Sequence, residues 1–510
     1  MSSTTLKPHQ KELFGHPKGL YYLFFTEMWE RFSYYGMRAL LTLYLVEKTT
    51  DVNPGLGWTS SEAIMLYGWY TMLVYIVSIP GGLIADKVLG QKKAVLYGAI
   101  ILVAGHSILA IEEMWAFYTG LGLIIVGVGM LKPNISTMVG GLYKSGDIRR
   151  DKGFSIFYIG INLGSLLATF IVGYVGEKIG WHYGFGLAGI GMLLGLIVYL
   201  SGQKYLTHVG NKNTEEEKKD QVSLGQIFSD LTKSPTQLTI VVILLGLSIY
   251  VGGFVFTGVD HWAYVVLFIF LSLVVGMLMM IYKSMRNQVE KDRFLVVLLS
   301  FLIVIVFWGA FEQAGGLMSI YTKTKTDRML LGWEIPATWF QSLNAGFIIL
   351  LAVAVANFWA KRKLKSKEAS SLFKMATGTI IMGMGFVFMI FAVRDFETNG
   401  KSAMIWLVLA YLFHTIGELS SSPVSLSFVT KLAPVRYASL MMGLYFASTG
   451  LGNKVAGILG ENAEEYGEYA IFTGITIFTV VFGLLVIALL KPLKRLTHGA
   501  EDNEVEMHEE

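Results

Sequence analysis

The 510-residue sequence contains no cysteine and few charged residues. Without cysteine, the chain can form neither a disulfide framework nor a thiolate metal site. Charged residues make up 15% of the chain, whereas soluble domains contain about 25%. With so few charges, the net charge of +4 does not indicate a nucleic-acid partner. Residues 1–19 are polar and lack the apolar region of a secretory signal peptide, so we expect no cleaved signal.

Long apolar segments, by contrast, recur along the whole chain. Hydrophobic residues make up 54% of the sequence, and segments of about 20 apolar residues are long enough to cross a hydrocarbon core ~30 Å thick. These segments predict an all-α integral membrane protein with 14 transmembrane helices. The predicted helices start near residues 20, 62, 94, 115, 152, 183, 237, 262, 293, 336, 372, 402, 437 and 469.

The distribution of Lys and Arg predicts the orientation of these helices. A cytoplasmic N-terminus places most of the 41 basic residues in the cytoplasm, as the positive-inside rule requires, and an even number of spans returns the C-terminus there. Six spans, a polar stretch and six further spans favour a major-facilitator fold of two six-helix bundles with an inserted two-helix hairpin. The predicted domains are an N-terminal bundle (1–200), a cytoplasmic linker (201–236), the inserted hairpin (237–283), a C-terminal bundle (284–495) and an acidic cytoplasmic tail (496–510).

The first span carries charges where its neighbours are apolar, in the stretch EMWERFSYYG (27–36). Glu27, Glu30, Arg31, Tyr34 and Arg38 follow the spacing i, i+3, i+4, i+7, i+11, which places them on one helical face. A polar stripe on an apolar helix indicates that this face borders an aqueous interior.

Other charges inside spans form two sets by depth. A charge at the bilayer centre costs roughly 2.5–3.5 kcal/mol on insertion scales and normally faces a partner or a cavity. Arg38 and Glu312 share a height in the outer half of the membrane, and Lys132 and Glu418 share one in the inner half. The four residues lie on equivalent helices of the two bundles, so we predict two inter-bundle gating pairs, an arrangement that suits an alternating-access carrier. Lys454 is close to the outer end of its span, which favours an interfacial position.

Uncharged polar and aromatic residues within the spans indicate a cavity. Each of them has ordinary helix packing as an alternative. His414 precedes Glu418 by four residues and could titrate beside it, whereas His106 is interpreted as a core residue. The cavity candidates are Tyr75, Asn162, Trp308, Gln341, Asn344 and Tyr445.

Five motifs in order resemble those of the proton-dependent oligopeptide transporters, and the matches run from GHPKGL (15–20) to MMGLYFASTGLGN (441–453). EMWERFSYYG resembles the ExxER motif of that family, and the loop between the second and third helices resembles the general major-facilitator loop. The extra apolar pair is typical of bacterial members. The further matching stretches are GGLIADKVLGQKK (81–93), GVGMLKPNIS (127–136), GFSIFYIGINLGSLLA (153–168) and FWGAFEQAGG (307–316).

The resemblance implies import of di- and tripeptides driven by a proton gradient. Carried over by motif, proton coupling would rest on Glu27, Glu30, Arg31 and Glu312. The peptide carboxylate would be held by Arg31, Arg38 and Lys132, and its amine by Glu418 with Asn162 and Asn344. The cavity walls would be formed by Tyr34, Tyr35, Tyr75, Trp308 and Tyr445.

Two positions depart from the family pattern. Gly68 stands where animal members carry a histidine seven residues before the tyrosine that matches Tyr75, so protonation must rest on carboxylates. Tyr445 stands in place of a tryptophan in Gly443-Leu444-Tyr445, which leaves the side-chain preference open.

Other function classes remain as alternatives. A related transporter could carry nitrate, another small anion or a drug, and saturable competition between peptides would exclude a channel. An enzyme is disfavoured because the G-x-S-x-G, H-E-x-x-H and G-x-x-x-x-G-K-[ST] motifs are absent from the sequence. We expect no catalytic residue, no metal, no cofactor other than protons as the coupling ion, and a functional monomer in the lipid bilayer of the bacterial inner (plasma) membrane.

Overall fold

The computed structural model describes residues 12–143, 147, 149–211, 261–434 and 437–500, together with residues 229, 239, 242, 243 and 246. This part of the chain contains thirteen long helices, and eleven of them are long and apolar enough to cross a membrane. Their starts lie within five residues of the predicted ones. Of the other helix of the predicted hairpin, which starts near 237, only residues 239, 242, 243 and 246 are described.

The N-terminal bundle consists of six helices, and the C-terminal bundle of another six. The first bundle is α1 (Lys18–Val46), α2 (Ser60–Ile84), α3 (Gln91–Leu109), α4 (Met114–Gly141), α5 (Arg149–Lys178) and α6 (Trp181–Ser201). After α7 (His261–Ser284), the second bundle is α8 (Gln288–Lys325), α9 (Ala337–Leu364), α10 (Ser371–Asn399), α11 (Met404–Leu432), α12 (Ala438–Glu461) and α13 (Glu468–Ala488). We use "outer end" for the end where α1 finishes and α2 begins, which the charge pattern assigns to the outside.

Short strands occur only in pairs in the described part of the chain, and each strand has two residues. They hold turns and loops at the ends of the helices. The pairs are Glu12–Leu13 with His16–Pro17 and Met329–Leu330 with Trp333–Glu334, both antiparallel, and Thr326–Asp327 with Ser402–Ala403, which is parallel.

Helix α8 extends into the polar stretch TKTKTDR (322–328), beyond the apolar segment of its sequence. The helix is interrupted by a 3₁₀ turn at Glu312–Ala314 and then continues over Leu317–Lys325. This last segment buries an apolar face that includes Leu317 and Tyr321. Because polar residues alternate with that face along the sequence, the apolar pattern was too weak to predict the continuation.

Equivalent helices of the two bundles carry a proline close to a predicted site residue. Pro133 lies inside α4 directly after Lys132, and Pro423 lies inside α11 five residues after Glu418. A proline inside a helix removes one backbone hydrogen bond and leaves a carbonyl without its helical partner. Both helices are therefore locally weakened beside the charged residue.

The described chain forms two compact units. The larger contains the described residues within 1–213, 300–427 and 442–490 and holds most of both bundles with their apolar cores. The smaller contains the described residues within 214–299, 428–441 and 491–510, and within it His498 Nε2 lies 2.8 Å from Asp292 Oδ2. The predicted domain boundaries stay predictions.

Candidate functional site

The charges of the ExxER stretch form a buried cluster on α1. Glu27, Glu30 and Arg31 are 2%, 0% and 2% exposed. Arg31 Nε lies 2.9 Å from Glu27 Oε1 and 2.5 Å from Glu30 Oε2. The prediction that these residues share one face is confirmed, and two carboxylates compete for one guanidinium.

The guanidinium of Arg31 retains binding capacity. Its Nη2 atom is buried and has no hydrogen-bond partner among the described residues. The ring of Tyr34 lies 5.6 Å from the guanidinium carbon. Because a guanidinium has five N–H donors in a fixed fork, Arg31 can bind a further carboxylate when one of its acidic neighbours becomes neutral.

The predicted outer pair is formed between α1 and α8. Arg38 Nη1 and Nη2 lie 3.4 Å from Glu312 Oε1 and Oε2, respectively. The guanidinium also lies 5.3 Å from the ring centre of Tyr35. Glu312 occupies the 3₁₀ interruption of α8, so the break in the helix positions its carboxylate. The pair joins the two bundles, and its role as a gate stays a prediction.

Lys132 on α4 and Glu418 on α11 belong to different bundles, and Lys132 contacts aromatic rings. Its Nζ lies 3.8 Å from the ring centre of Tyr75 and 6.0 Å from that of Phe446. The ammonium is within electrostatic range of Glu30 and Glu27. Lys132 and Glu418, which both lie in the described part of the chain, form no ion pair in this structure. Their predicted pairing therefore stays a prediction for another conformational state.

Glu418 is 8% exposed and is held by an amide from α9. Asn344 Nδ2 donates hydrogen bonds to Glu418 Oε2 at 2.8 Å and to Thr415 Oγ1 at 3.1 Å. The structure thus brings together the predicted residues Asn344 and Glu418. Thr415 was missed by sequence reasoning, although its position one turn before Glu418 was a usable signal.

Asn162 and its neighbours form a further part of the site on α5. Asn162 Nδ2 donates to the backbone oxygen of Tyr158 at 3.0 Å, within its own helix. The phenol of Tyr158 is within electrostatic range of Glu418. Tyr158 was also missed, and its i−4 spacing from Asn162 was the signal that could have found it.

The side chains that were predicted to form the aromatic walls each contact a neighbouring side chain. Tyr445 Oη lies 3.0 Å from Ser425 Oγ, so the tyrosine that replaces the family tryptophan has its polar tip anchored to α11. The ring of Trp308 meets Phe311 edge-on at 5.2 Å, and Tyr34 meets Tyr35 edge-on at 5.3 Å.

The structure shows the surroundings of three further polar residues outside the main site. His106 is fully buried, as predicted for a core residue. His414 packs 4.5 Å from the ring of Phe386, and neither of its ring nitrogens has a hydrogen-bond partner in the described chain. The prediction of an interfacial position for Lys454 is wrong. Its side chain is 2% exposed, and its Nζ lies 4.0 Å from Glu461 Oε2. Packing of α12 against the ring of Trp69, 4.5 Å from Nζ, encloses it in protein.

The absence of a histidine at Gly68 has a structural reason. A Cβ atom at Gly68 would lie 2.8 Å from the Cα atom of Gly457, where α2 and α12 cross. Real Cβ atoms do not approach backbone that closely, so this contact between the bundles excludes any side chain at position 68.

Polar contacts between the bundles gather near the outer end. Glu47 and Lys323 form an ion pair at 2.7 Å, and burial raises the pKa of Glu47 above its ordinary value. Lys178 and Glu334 form another at 2.9 Å, and the hydrogen bond from this lysine lowers the pKa of Glu334. Thr42 Oγ1 donates to the backbone oxygen of Gly315 at 2.9 Å. These contacts join the two bundles at the outer end.

Glu177 at the end of α5 caps the first turn of α9. Its carboxylate accepts hydrogen bonds from the backbone N–H groups of Ala337 at 3.0 Å and Thr338 at 2.7 Å, and from Thr338 Oγ1 at 2.6 Å. A carboxylate satisfies the free N–H groups of a helix N-terminus and complements its dipole. This cap joins the helix that carries Asn162 to the helix that carries Asn344.

We expect Glu177→Ala to open the outer end. A hydrogen bond to a charged group is worth about 1.5–3 kcal/mol, so losing these bonds shifts the conformational equilibrium by roughly tenfold or more. Spin labels on Thr50→Cys and Tyr466→Cys, in a chain without native cysteine, measure the distance between the bundles. Asp395→Ala is the matched control, because Asp395 accepts from Ala403 N within one bundle. Equal distance distributions for the two variants would contradict the role of Glu177.

Two six-helix bundles with charged groups facing a shared interior define a secondary transporter of the major-facilitator type. A family model described as "PTR2: POT family" matches residues 92–469. The chain is similar to transporter YclF of Bacillus subtilis, with 38% identity over 96% of this chain and 97% of that protein. It is also similar to a di-/tripeptide transporter of Lactococcus lactis subsp. cremoris, with 34% identity over 96% and 98% of the two chains.

A crystal structure of the peptide transporter POT in complex with sulfate matches this structure with a TM-score of 0.82 and 37% identity, over 96% of this chain and 97% of that one. With a family model over most of its length and these relatives, the chain belongs to the POT family of multi-pass membrane transporters.

Proposed function

We propose that the protein is a proton-coupled symporter that imports di- and tripeptides by alternating access. The observation that carries the proposal is an interior with a cationic wall and an acidic wall. Arg31 and Lys132 lie on the N-terminal bundle, and Glu418 with its hydrogen-bonded Asn344 lies on the C-terminal bundle. The relative from Lactococcus, named a di-/tripeptide transporter, supports the same substrate class.

The two walls match the chemistry of a short peptide. A peptide is a zwitterion, and removing its charged ends from water is costly unless they are paired. Arg31 and Lys132 bind the carboxylate and Glu418 binds the amine, through charge-assisted hydrogen bonds that replace the lost water. The tyrosine and tryptophan walls between them accept different side chains.

Proton coupling rests on the cluster of Glu27, Glu30 and Arg31, together with Glu312 of the outer pair. Protonation of one carboxylate removes a competing anion from Arg31, which then binds the peptide carboxylate. Proton entry is driven by the membrane potential, which supplies about 2.3 kcal/mol per charge per 100 mV.

Alternating access is supported by the asymmetry of the two charge sets. Arg38 contacts Glu312 near the outer end, while Lys132 contacts Tyr75 instead of Glu418. This arrangement fits a transporter that is closed outside and ready to release its substrate inside. A permanently open channel does not require an ion pair that is formed at one end of the interior and absent at the other.

Several further properties belong to this proposal. The protein lies in the inner (plasma) membrane of a bacterium with both termini in the cytoplasm, and it works as a monomer. Its partners are peptides, protons and lipid. It uses no cofactor other than the coupling proton, binds no nucleic acid and catalyses no covalent reaction.

Transport by the purified protein in lipid vesicles tests the proposal. With an acidic exterior and a negative interior, we expect labelled dialanine to accumulate well above its external concentration. A protonophore should abolish accumulation, and unlabelled di- and tripeptides should compete, whereas free amino acids and nitrate should not. Uptake that stops at equilibrium despite the gradient would contradict symport, and absence of competition by peptides would contradict the substrate class.

A further inference from the structure

Tyr67 on α2 makes the shortest described contact to the Glu312 carboxylate. Its Oη donates a hydrogen bond to Glu312 Oε2 at 2.8 Å, whereas both contacts of Arg38 with this carboxylate are 3.4 Å long. Tyr67 is 1% exposed and Glu312 is 2% exposed. The phenol therefore fixes the carboxylate more closely than the guanidinium does, in surroundings sheltered from solvent.

The backbone of α8 is shaped to admit this phenol. A Cβ atom at Gly315 would lie 2.0 Å from Tyr67 Oη, so only glycine leaves room for the hydroxyl there. The backbone oxygen of Gly315 accepts a hydrogen bond from Thr42 of α1 at 2.9 Å. Three helices thus build one site around the interrupted segment of α8.

The chemistry of the bond bears on proton binding. A hydroxyl that donates to a carboxylate stabilises its charged form. The charged groups within electrostatic range of Glu312 are Arg38, Lys132 and Glu418, and the phenols in range are Tyr34, Tyr35, Tyr67, Tyr75 and Tyr411. Among these groups, Arg38 and Tyr67 make hydrogen bonds to the carboxylate.

We propose that Tyr67 is a positioning residue for proton coupling, whose hydroxyl holds the Glu312 carboxylate across the two bundles beside Arg38. When Glu312 takes up a proton, its oxygens become weaker acceptors, both bonds weaken and the outer end is released. The phenol keeps its own proton throughout. The inference rests on the proposed symport function.

Tyr67→Phe removes the hydroxyl and keeps the ring. We expect the pH dependence of gradient-driven dipeptide uptake to move about one pH unit toward alkaline pH, because loss of the donor favours the protonated carboxyl. Peptide counterflow without a gradient should stay within about twofold of wild type. Tyr70→Phe is the matched control: Tyr70 is on the same helix, is 2% exposed, and its hydroxyl has no hydrogen-bond partner among the described residues.

Two further variants make the test independent of how Tyr67→Phe folds. Gly315→Ala displaces the hydroxyl while Tyr67 remains, and the same alkaline shift is expected. In a Glu312→Gln background, where gradient-driven uptake is expected to be lost, adding Tyr67→Phe should have no effect on the pH profile of peptide counterflow. The inference would be overturned if the pH profile of Tyr67→Phe is not shifted, or if Tyr67→Phe produces an equal shift in the Glu312→Gln background. In either case, accumulation of dipeptide by the wild type would still support the symport function. If wild type itself does not accumulate peptide, the proposed function fails instead.

Discussion

Glu30→Gln is expected to reduce gradient-driven accumulation of dipeptides at least tenfold while peptide counterflow persists. In the wild type, Glu30 Oε2 lies 2.5 Å from Arg31 Nε and competes with a substrate carboxylate for that guanidinium. The amide carries no charge and cannot take up a proton, so Arg31 stays permanently available and proton entry is no longer required for binding. Parallel accumulation and counterflow assays in vesicles separate the loss of coupling from a loss of binding.

A control for the carboxylate-to-amide exchange is available on the next helix. Glu62 belongs to the capping box of α2, in which glutamine also functions, so Glu62→Gln should accumulate dipeptide as wild type does. Accumulation by Glu30→Gln at the wild-type level would show that this carboxylate is not needed for coupling.

Glu418→Ala is expected to abolish peptide uptake and to remove recognition of the peptide amine. Glu418 accepts a hydrogen bond from Asn344 at 2.8 Å, and a bound ammonium is expected to share this carboxylate. A bond between charged groups is worth about 1.5–3 kcal/mol, so acetylating the amine of a dipeptide should weaken binding to wild type by tenfold or more. In Glu418→Ala, the same acetylation should weaken dipeptide binding by little more.

A dipeptide that is modified at its carboxyl terminus instead of its amine provides the control. A dipeptide with an amidated carboxyl terminus should keep its full penalty in Glu418→Ala and lose it in Lys132→Ala. Competition binding of unmodified, acetylated and amidated dipeptides to the purified wild type and variants gives these penalties even when transport is abolished. If acetylation costs as much in Glu418→Ala as in wild type, Glu418 does not bind the amine, and the proposed peptide orientation is wrong.

The long helices and the polar stripe of α1 could be predicted from the sequence. A segment in lipid must satisfy its backbone polar groups within one helix, so apolar length predicts eleven of the thirteen described long helices. The rise of 1.5 Å per residue then converts sequence position into depth. Sequence position predicted that Arg38 and Glu312 lie at the same depth on different bundles. In the structure, Arg38 Nη2 and Glu312 Oε2 are 3.4 Å apart.

Depth does not specify which state of the transporter is present. Lys132 and Glu418 also share a predicted level, yet Lys132 lies against Tyr75 in this structure. A pair that forms in one state and separates in the other depends on how the two bundles are tilted, and helix period and hydropathy carry no information about that tilt.

What the sequence by itself determined is therefore the set of spans, their depths and the charges of the interior, because these follow from local periodicity and from the cost of charge in lipid. Only the tertiary structure decided that Tyr67 bonds to Glu312, that Gly68 meets Gly457 and that Glu177 caps α9. Each of these contacts joins residues more than 150 positions apart. Their formation depends on side-chain shape at helix crossings, and no local pattern in the chain specifies which remote helix supplies the partner.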